Sequence, residues 1–564
     1  MSTQPVSIIS GLLLLVGASL HGQHKPAPAA IKLSGGIGVN VGTYNAFGID
    51  NRRDPLQYLF NANLNIRILD KVDIPLGVTV SQQETRFLQP NNIYGISPRY
   101  RNLTGHFGYR SMRFSQYTLN NHLFLGGGVE ADLPNKKGPV IRLAGMYGRL
   151  RRAVEPGAAA VNGGVASYKR NGYGAMVRLS RRERRADFLS VSLFRAEDRE
   201  NSITAPLAAE VAPQRNLAVG VTGQYRLLGK LTAGFDYGAS ALTTDARAGA
   251  AETGEIPAFL RPFDGLIDGR SSTRYRDAYS TRLDYRMKRA AVGLAYQRID
   301  PDYQTLGSYF FQNNLENATL TASWADKDNR VTLAGSFGVQ RNGLEETALT
   351  SNRRLIGSLN YNHNFSDRLN WNVNFNNYTA SLRVEREELS DSLQFYQIST
   401  SLSAGANYRL QAGHSIYSQA SWQRGNSRDE YRLFEDETTF LNLSAGWRFT
   451  LAGWQLGVNP AFNYSVATTA AGDLTRAGPS LNFSRQFADR KINTSLGLAY
   501  TGNMTTGDDG GQARVFSSRL NGSFRLSKST SVNVGLGYFR RDSRNPQLVD
   551  FGELRGRMGY RWRF

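Results

Sequence analysis

The chain has 564 residues, with 67 Lys+Arg against 46 Asp+Glu for a formal charge of +21, and it contains no cysteine. The missing cysteine excludes a disulfide scaffold, thiolate metal sites, a cysteine nucleophile and a lipidated amino-terminal cysteine. The length, together with 57 Gly, 27 Tyr and 28 Phe, leaves two options, several soluble domains or one very large closed architecture.

The first element is the apolar run IISGLLLLVGASL, Ile8 to Leu20. It is shorter than the roughly 20 residues of a membrane-spanning helix. No Lys or Arg precedes it, but its position and the small residues after it predict a secretory signal over 1–23, cleaved somewhere between Gly22 and Ala30. Export weakens the reading of +21 as a nucleic-acid footprint. The Lys and Arg are also spread along the chain rather than gathered in a stripe, so no nucleic-acid partner is expected.

Strand-like sequence (IKLSGGIGVNVG) starts at Ile31, and from there to 564 short apolar/polar dyads recur. In LNWNVNFNN (369–377), Leu369, Trp371, Val373 and Phe375 fall on one face, with Asn370, Asn372, Asn374 and Asn376 on the other. Short connections, LDKVD (69–73), PNKKG (134–138), LLGK (227–230), MKR (287–289), ADKDN (325–329), SDR (366–368), ADR (488–490) and SKST (527–530), alternate with longer ones. The longer ones include 251–270, VEREELSD (384–391), LFEDETT (433–439) and TGDDGG (506–511). Tight turns at one edge and elaborated loops at the other are the pattern of a membrane barrel with a periplasmic and an extracellular side.

The predicted fold is therefore all-β, a transmembrane antiparallel up-and-down β-barrel spanning 31–564, with about 24 strands by turn parity. Residues 88–121 leave two options open: an extra hairpin, giving 26 strands, or a loop folded into the lumen. Arg99, Tyr100, Arg101, Arg110, Arg113 and Tyr117 are the candidate internal-loop residues, because Arg and Tyr suit packing onto a polar inner wall. A barrel this wide needs filling, and the loop at 244–273 is a second candidate for that.

The chain ends in RGRMGYRWRF, which separates into Met558, Tyr560, Trp562 and Phe564 on one face and Arg555, Arg557, Arg561 and Arg563 on the other. A carboxy-terminal strand with Tyr560, Trp562 and Phe564 on one face resembles the closing signal of Gram-negative outer-membrane barrels. The long strands rich in Asn and Tyr look like large outer-membrane proteins of the Bacteroidota. The resemblance implies that Tyr560, Trp562 and Phe564 form an assembly signal read by the barrel-assembly machinery. It also implies that the protein sits in the outer membrane, with lipid and lipopolysaccharide around it. Its plug-free start differs from TonB-dependent receptors. The chain likewise lacks the periplasmic domains of pilus ushers and of lipopolysaccharide-inserting barrels.

Arg555, Arg557, Arg561 and Arg563 are expected to face the lumen or its rim, since guanidinium groups facing lipid near the midplane would cost about 2–4 kcal/mol each. His106, His122, His363 and His414 sit in no catalytic motif, and Glu385, Glu387, Glu388 and Asp391 lack the cadence of a calcium loop. No enzyme activity, cofactor or metal is expected. The functional expectation is a conduit, passive or partner-gated, with a basic lumen for polar or anionic solutes. The alternative is a barrel that anchors or exports a surface or periplasmic protein whose segment fills the lumen. An outer-membrane hydrolase is a remote third.

Overall fold

Strict alternation favours strands whose two faces meet different media, and it governs the whole architecture. The computed structural model describes residues 30–82, 92–135, 138–156, 166–204, 211–251, 256–309, 312–344, 352–383, 394–429, 434–507, 511–544 and 549–564. The expected signal segment lies outside them. The described residues form one antiparallel sheet of 27 strand segments, and the helical segments that fall wholly within them are 3-10 turns of three to six residues.

The first strand, Ile31–Phe47, pairs with the last, Phe551–Arg563, from Gly36 opposite Arg563 to Phe47 opposite Gly552. Bonds of 2.9 and 3.1 Å between the main chains of Gly35 and Phe564 extend this seam. The sheet is thereby closed and has no free edge, the condition for a β-structure to cross hydrocarbon. Ile93–Ile96 and Arg99–Tyr100 both lie between Val72–Ser81 and Leu103–Arg113, so the 27 segments fill 26 positions.

The count is thus 26 rather than 24, and the hairpin reading of the doubtful region holds for the wall. Pro98 lies between the two short segments and has no N–H to give to a ladder. That gap makes one strand look like a loop in sequence.

Turns of two to five residues gather at one edge, among them 69–71, 101–102, 287–289, 326–330 and 412–413. The other edge carries the long connections 152–168, 200–214, 244–272 and 300–314. LFEDETT is mostly strand, because Phe434–Leu451 begins at its second residue. Residues 384–393 and 508–510, and with them all of one expected loop and half of another, lie outside the described residues.

The outward face is apolar. Leu294, Phe337 and Met558 are 55%, 61% and 56% exposed on it, a belt that only lipid can cover. One stretch differs. Leu217 and Val219 share the outward face of their strand with Tyr225 and Leu227, yet they are only 2% and 1% exposed. Leu260, Phe259 and Phe263 of the 244–272 connection pack over them. That loop, a candidate for filling the lumen, lies on the outside of the wall, because its apolar side chains find an apolar surface there.

Candidate functional site

The lumen is divided into a filled part and an open part. Two connections from the long-loop edge turn inward, 114–119 (FSQYTL) and 300–314, and clasp each other. The Tyr303 hydroxyl donates to the Tyr117 carbonyl at 2.6 Å, and the Thr305 hydroxyl donates to the Thr118 carbonyl at 2.8 Å. The Asn120 amide donates to the Gly307 carbonyl at 2.9 Å.

The wall holds the clasp in place. Gln297 Nε2 donates to the Tyr117 phenol at 3.1 Å, the Leu306 amide donates to Asn216 Oδ1 at 3.1 Å, and the Thr118 and Ser192 hydroxyls lie 3.1 Å apart. Burial pushes the Tyr117 and Tyr303 phenols above their ordinary value, so both stay neutral.

Below the clasp, Met112, Phe114, Leu119, Phe124, Met146 and Phe194 are among the side chains of an apolar cluster inside the barrel. The wall makes room through glycine. Gly220 and Gly238 face each other in register. A Cβ on Gly220 would stand 2.9 Å from the Thr118 methyl, and one on Gly238 would collide with Tyr117. Any larger residue at either position would push the loop out.

The wall beside the clasp is tied together near the long-loop edge by charge. Asp198, whose side chain is fully buried, takes Nε and Nη2 of Arg170 at 2.8 Å each and Nη2 of Arg151 at 3.2 Å. A buried carboxylate between two guanidiniums is satisfied where it would otherwise be very costly.

Beside this filling, the first three strands and the last several enclose a cavity of about 1920 Å³. Asn40, Gln57, Thr79, Asn521, Asn533 and Arg557 line it. The sequence-predicted arginines distribute as follows. Arg557 lines the cavity, and Arg555 is tied to Glu553 at 2.5 Å, which also accepts from Tyr44 at 3.0 Å. Arg561 and Arg563 pair in register with Gly38 and Gly36. Tyr560 lies on the opposite face, 40% exposed, and the Trp562 and Phe564 rings lie 4.6 Å apart.

Of the six candidate internal-loop residues only Tyr117 is in the inward loop. Arg99 and Arg110 belong to wall strands, Tyr100 is an exposed wall residue, Arg101 sits in a turn over the Tyr100 ring, and Arg113 pairs with Asn120 at the end of a strand. The four histidines do not converge. His106 meets Ser97, His122 stacks on Tyr309, and His363 and His414 stack against outward aromatics. Among the described residues no group of three or more His, Asp or Glu could hold a metal.

Sequence reasoning missed the 300–314 insertion altogether. Its signal was indirect: glycines such as Gly220 and Gly238 line up on one inner patch only once the register is known.

No family model matches the chain. No curated protein matches it either. Among solved structures it is similar to a mutant ferric enterobactin receptor from Pseudomonas aeruginosa, at 12% identity over 94% of this chain and 80% of that one, with a TM-score of 0.41. It is also similar to the FrpB iron transporter from Neisseria meningitidis, at 9% identity over 94% and 81%, TM-score 0.38. The P pilus usher translocation pore gives 10% identity over 94% and 99%, TM-score 0.33. Such values say nothing of what this chain carries. Its placement rests on the closed wall and the apolar belt, which together define the outer-membrane class of transmembrane barrel. The chain is an outer-membrane β-barrel.

Proposed function

We propose that this barrel is a conduit for polar solutes, with part of its lumen filled by its own clasped loops and the rest left as the passage. The observation that carries this is the cavity of about 1920 Å³ alongside the clasp. Its lining of Asn, Gln, Ser and Thr hydrogen-bonds to water and polar solutes without trapping them. Arg557 at its wall, with Arg561 and Arg563 further along the same face, gives it a bias toward anions. No catalysis is assigned to the chain. Tyr560, Trp562 and Phe564 serve as the assembly signal, and lipid and lipopolysaccharide cover the belt.

The test is current through the purified barrel in a planar bilayer. Stepwise, anion-selective conductance at low salt is expected, with the preference reduced by Arg557→Gln combined with Arg561→Gln. A closed barrel would overturn the reading and favour a second one. The cavity exceeds the roughly 300–1,000 Å³ of an ordinary small-molecule pocket, so it could instead hold a segment of a partner protein that the barrel anchors or exports. Co-purification in mild detergent would then recover that partner.

A further inference from the structure

A second, smaller cavity of about 600 Å³ lies against the broken strand at the short-turn side of the wall. Asn63, Asn65, Ser97, Arg99, His106 and Arg110 line it, and no Asp or Glu is among its lining residues. The wall is bare beneath the Arg110 guanidinium. Its Cζ is 3.1 Å from where a Gly95 Cβ would stand, and its Nη1 is 3.9 Å from the corresponding point on Gly77. Nη2 donates to the Gly95 carbonyl, while Nε is buried with no hydrogen-bond partner among the described residues. The His106 ring lies with Nδ1 3.1 Å from Ser97 Oγ, and its Nε2 is likewise buried without a partner among the described residues.

Nearby carboxylates do not fill this role. Asp73, opposite Arg99 in register, is held by Arg67 at 2.7 Å, and Glu130 faces Thr104 on the next strand pair. Buried polar nitrogens without partners are costly, so two of them among the lining residues of one cavity mark a place where a bound partner would be favourable.

The geometry points to a binding site for a phosphate-class oxyanion, the charged head of a solute, at Arg110, His106 and Arg99. Donors reach the cavity from three strands, with Asn63 and Asn65 on one, Ser97 and Arg99 on the second, and His106 and Arg110 on the third. That is a non-planar set. A tetrahedral oxyanion offers acceptors in all those directions, whereas a carboxylate offers two in one plane. The site deepens the conduit reading, because it gives an anionic solute a resting place on the inner wall. It can nevertheless be tested without current.

The experiment is isothermal titration of the purified, folded barrel in detergent at low salt with inorganic phosphate, and separately with acetate. Saturable binding of one phosphate per chain is expected, weakened at least tenfold by Arg110→Gln and by His106→Leu, and relieved by added salt. Arg519→Gln changes an inner-face arginine two residues from Asn521, on a distant strand, and should leave the affinity within twofold. Folding of each variant is checked by its migration on unheated gels, and Arg99→Gln stands in if either of the first two fails to fold. Absence of saturable heat, equal affinity in Arg110→Gln, equal binding of acetate, or an equal loss in Arg519→Gln would overturn the proposal. A barrel that binds phosphate without conducting would fail only the conduit reading, and one that conducts without binding would fail only this site.

Discussion

Tyr117→Ala is the sharpest probe of the built-in plug. Tyr117 is 1% exposed, its ring lies edge-on to Tyr303 at 6.0 Å between centroids, and its phenol accepts from Gln297. Truncating a fully buried aromatic costs about 3–5 kcal/mol, and the stranded Gln297 amide adds to that. The bonds from the Tyr303 and Thr305 hydroxyls to the main-chain carbonyls of Tyr117 and Thr118 do not depend on the Tyr117 side chain and remain. The wall ladders are also untouched, so the loss falls on the local equilibrium between clasped and released loops rather than on the barrel. At about 1.4 kcal/mol per tenfold, even the lower bound shifts that equilibrium by about a hundredfold.

In planar bilayers the variant should show a larger conductance level, or frequent openings to one, and liposomes carrying it should swell in larger sugars than the parent admits. Unheated gels must show it still folded. A folded Tyr117→Ala barrel with the parent's conductance and size limit would refute the view that 114–119 and 300–314 narrow the passage.

Two further outcomes follow from the outer wall and the closing seam. Replacing Trp562 and Phe564 by Ser should lower the fraction of folded barrel in the membrane while export continues, which heat-modifiable migration reads directly; an unchanged folded fraction would remove the assembly-signal reading. Leu260→Asp should lift the 256–267 segment from Leu217 and Val219, since an unpaired carboxylate cannot stay in that apolar contact. Protease added to intact cells should then cut within the 244–272 loop faster than in the parent, and an unchanged cutting rate would show that the loop is not held there.

Much of the wall was legible in the sequence because a two-residue period is local: LNWNVNFNN and RGRMGYRWRF each declare both faces without reference to anything else. Parity of turns then fixed an even number of strands. It did not fix 26, because Pro98 and Gly108, with φ of 87°, break the period where the hairpin 93–113 runs. The plug was not legible, because it depends on pairs far apart in the chain. Tyr117 meets Gly238 and Gln297, and Thr118 meets Ser192 and Gly220, contacts that exist only after the barrel has closed. The same limit put the 244–273 loop in the wrong place. Its Leu260 and Phe263 advertise an apolar contact but do not say on which side of the wall.

Much of the net charge of +21 lies in the short turns rather than on the inner wall. Arg181, Arg182, Arg184 and Arg185 crowd one exposed turn, and Lys288, Arg289, Lys327, Arg330, Arg368, Arg490, Lys491 and Lys528 sit in others at the same edge. Arg557 is six residues from Arg563, whose amide bonds to Ser529 in the turn that holds Lys528. At a strand rise of about 3.4 Å this places Arg557 about 20 Å from that edge. Since the Debye length is about 10 Å at 0.1 M, edge charges such as Lys288 and Arg289, which do not line the cavity, contribute little to the potential at Arg557, whereas Arg490 in the 488–491 turn lines the cavity itself. Selectivity should therefore depend on the arginines at the cavity, Arg485, Arg490 and Arg557, more than on the total charge. Arg557→Gln with Arg561→Gln removes two of 67 basic side chains, yet it should measurably reduce the anion preference at 0.1 M. Neutralising Lys288 and Arg289 removes the same charge and should leave the reversal potential where it was. Equal shifts from the two pairs would mean that the cavity senses the whole protein's field, and that the inner arginines have no special part in it.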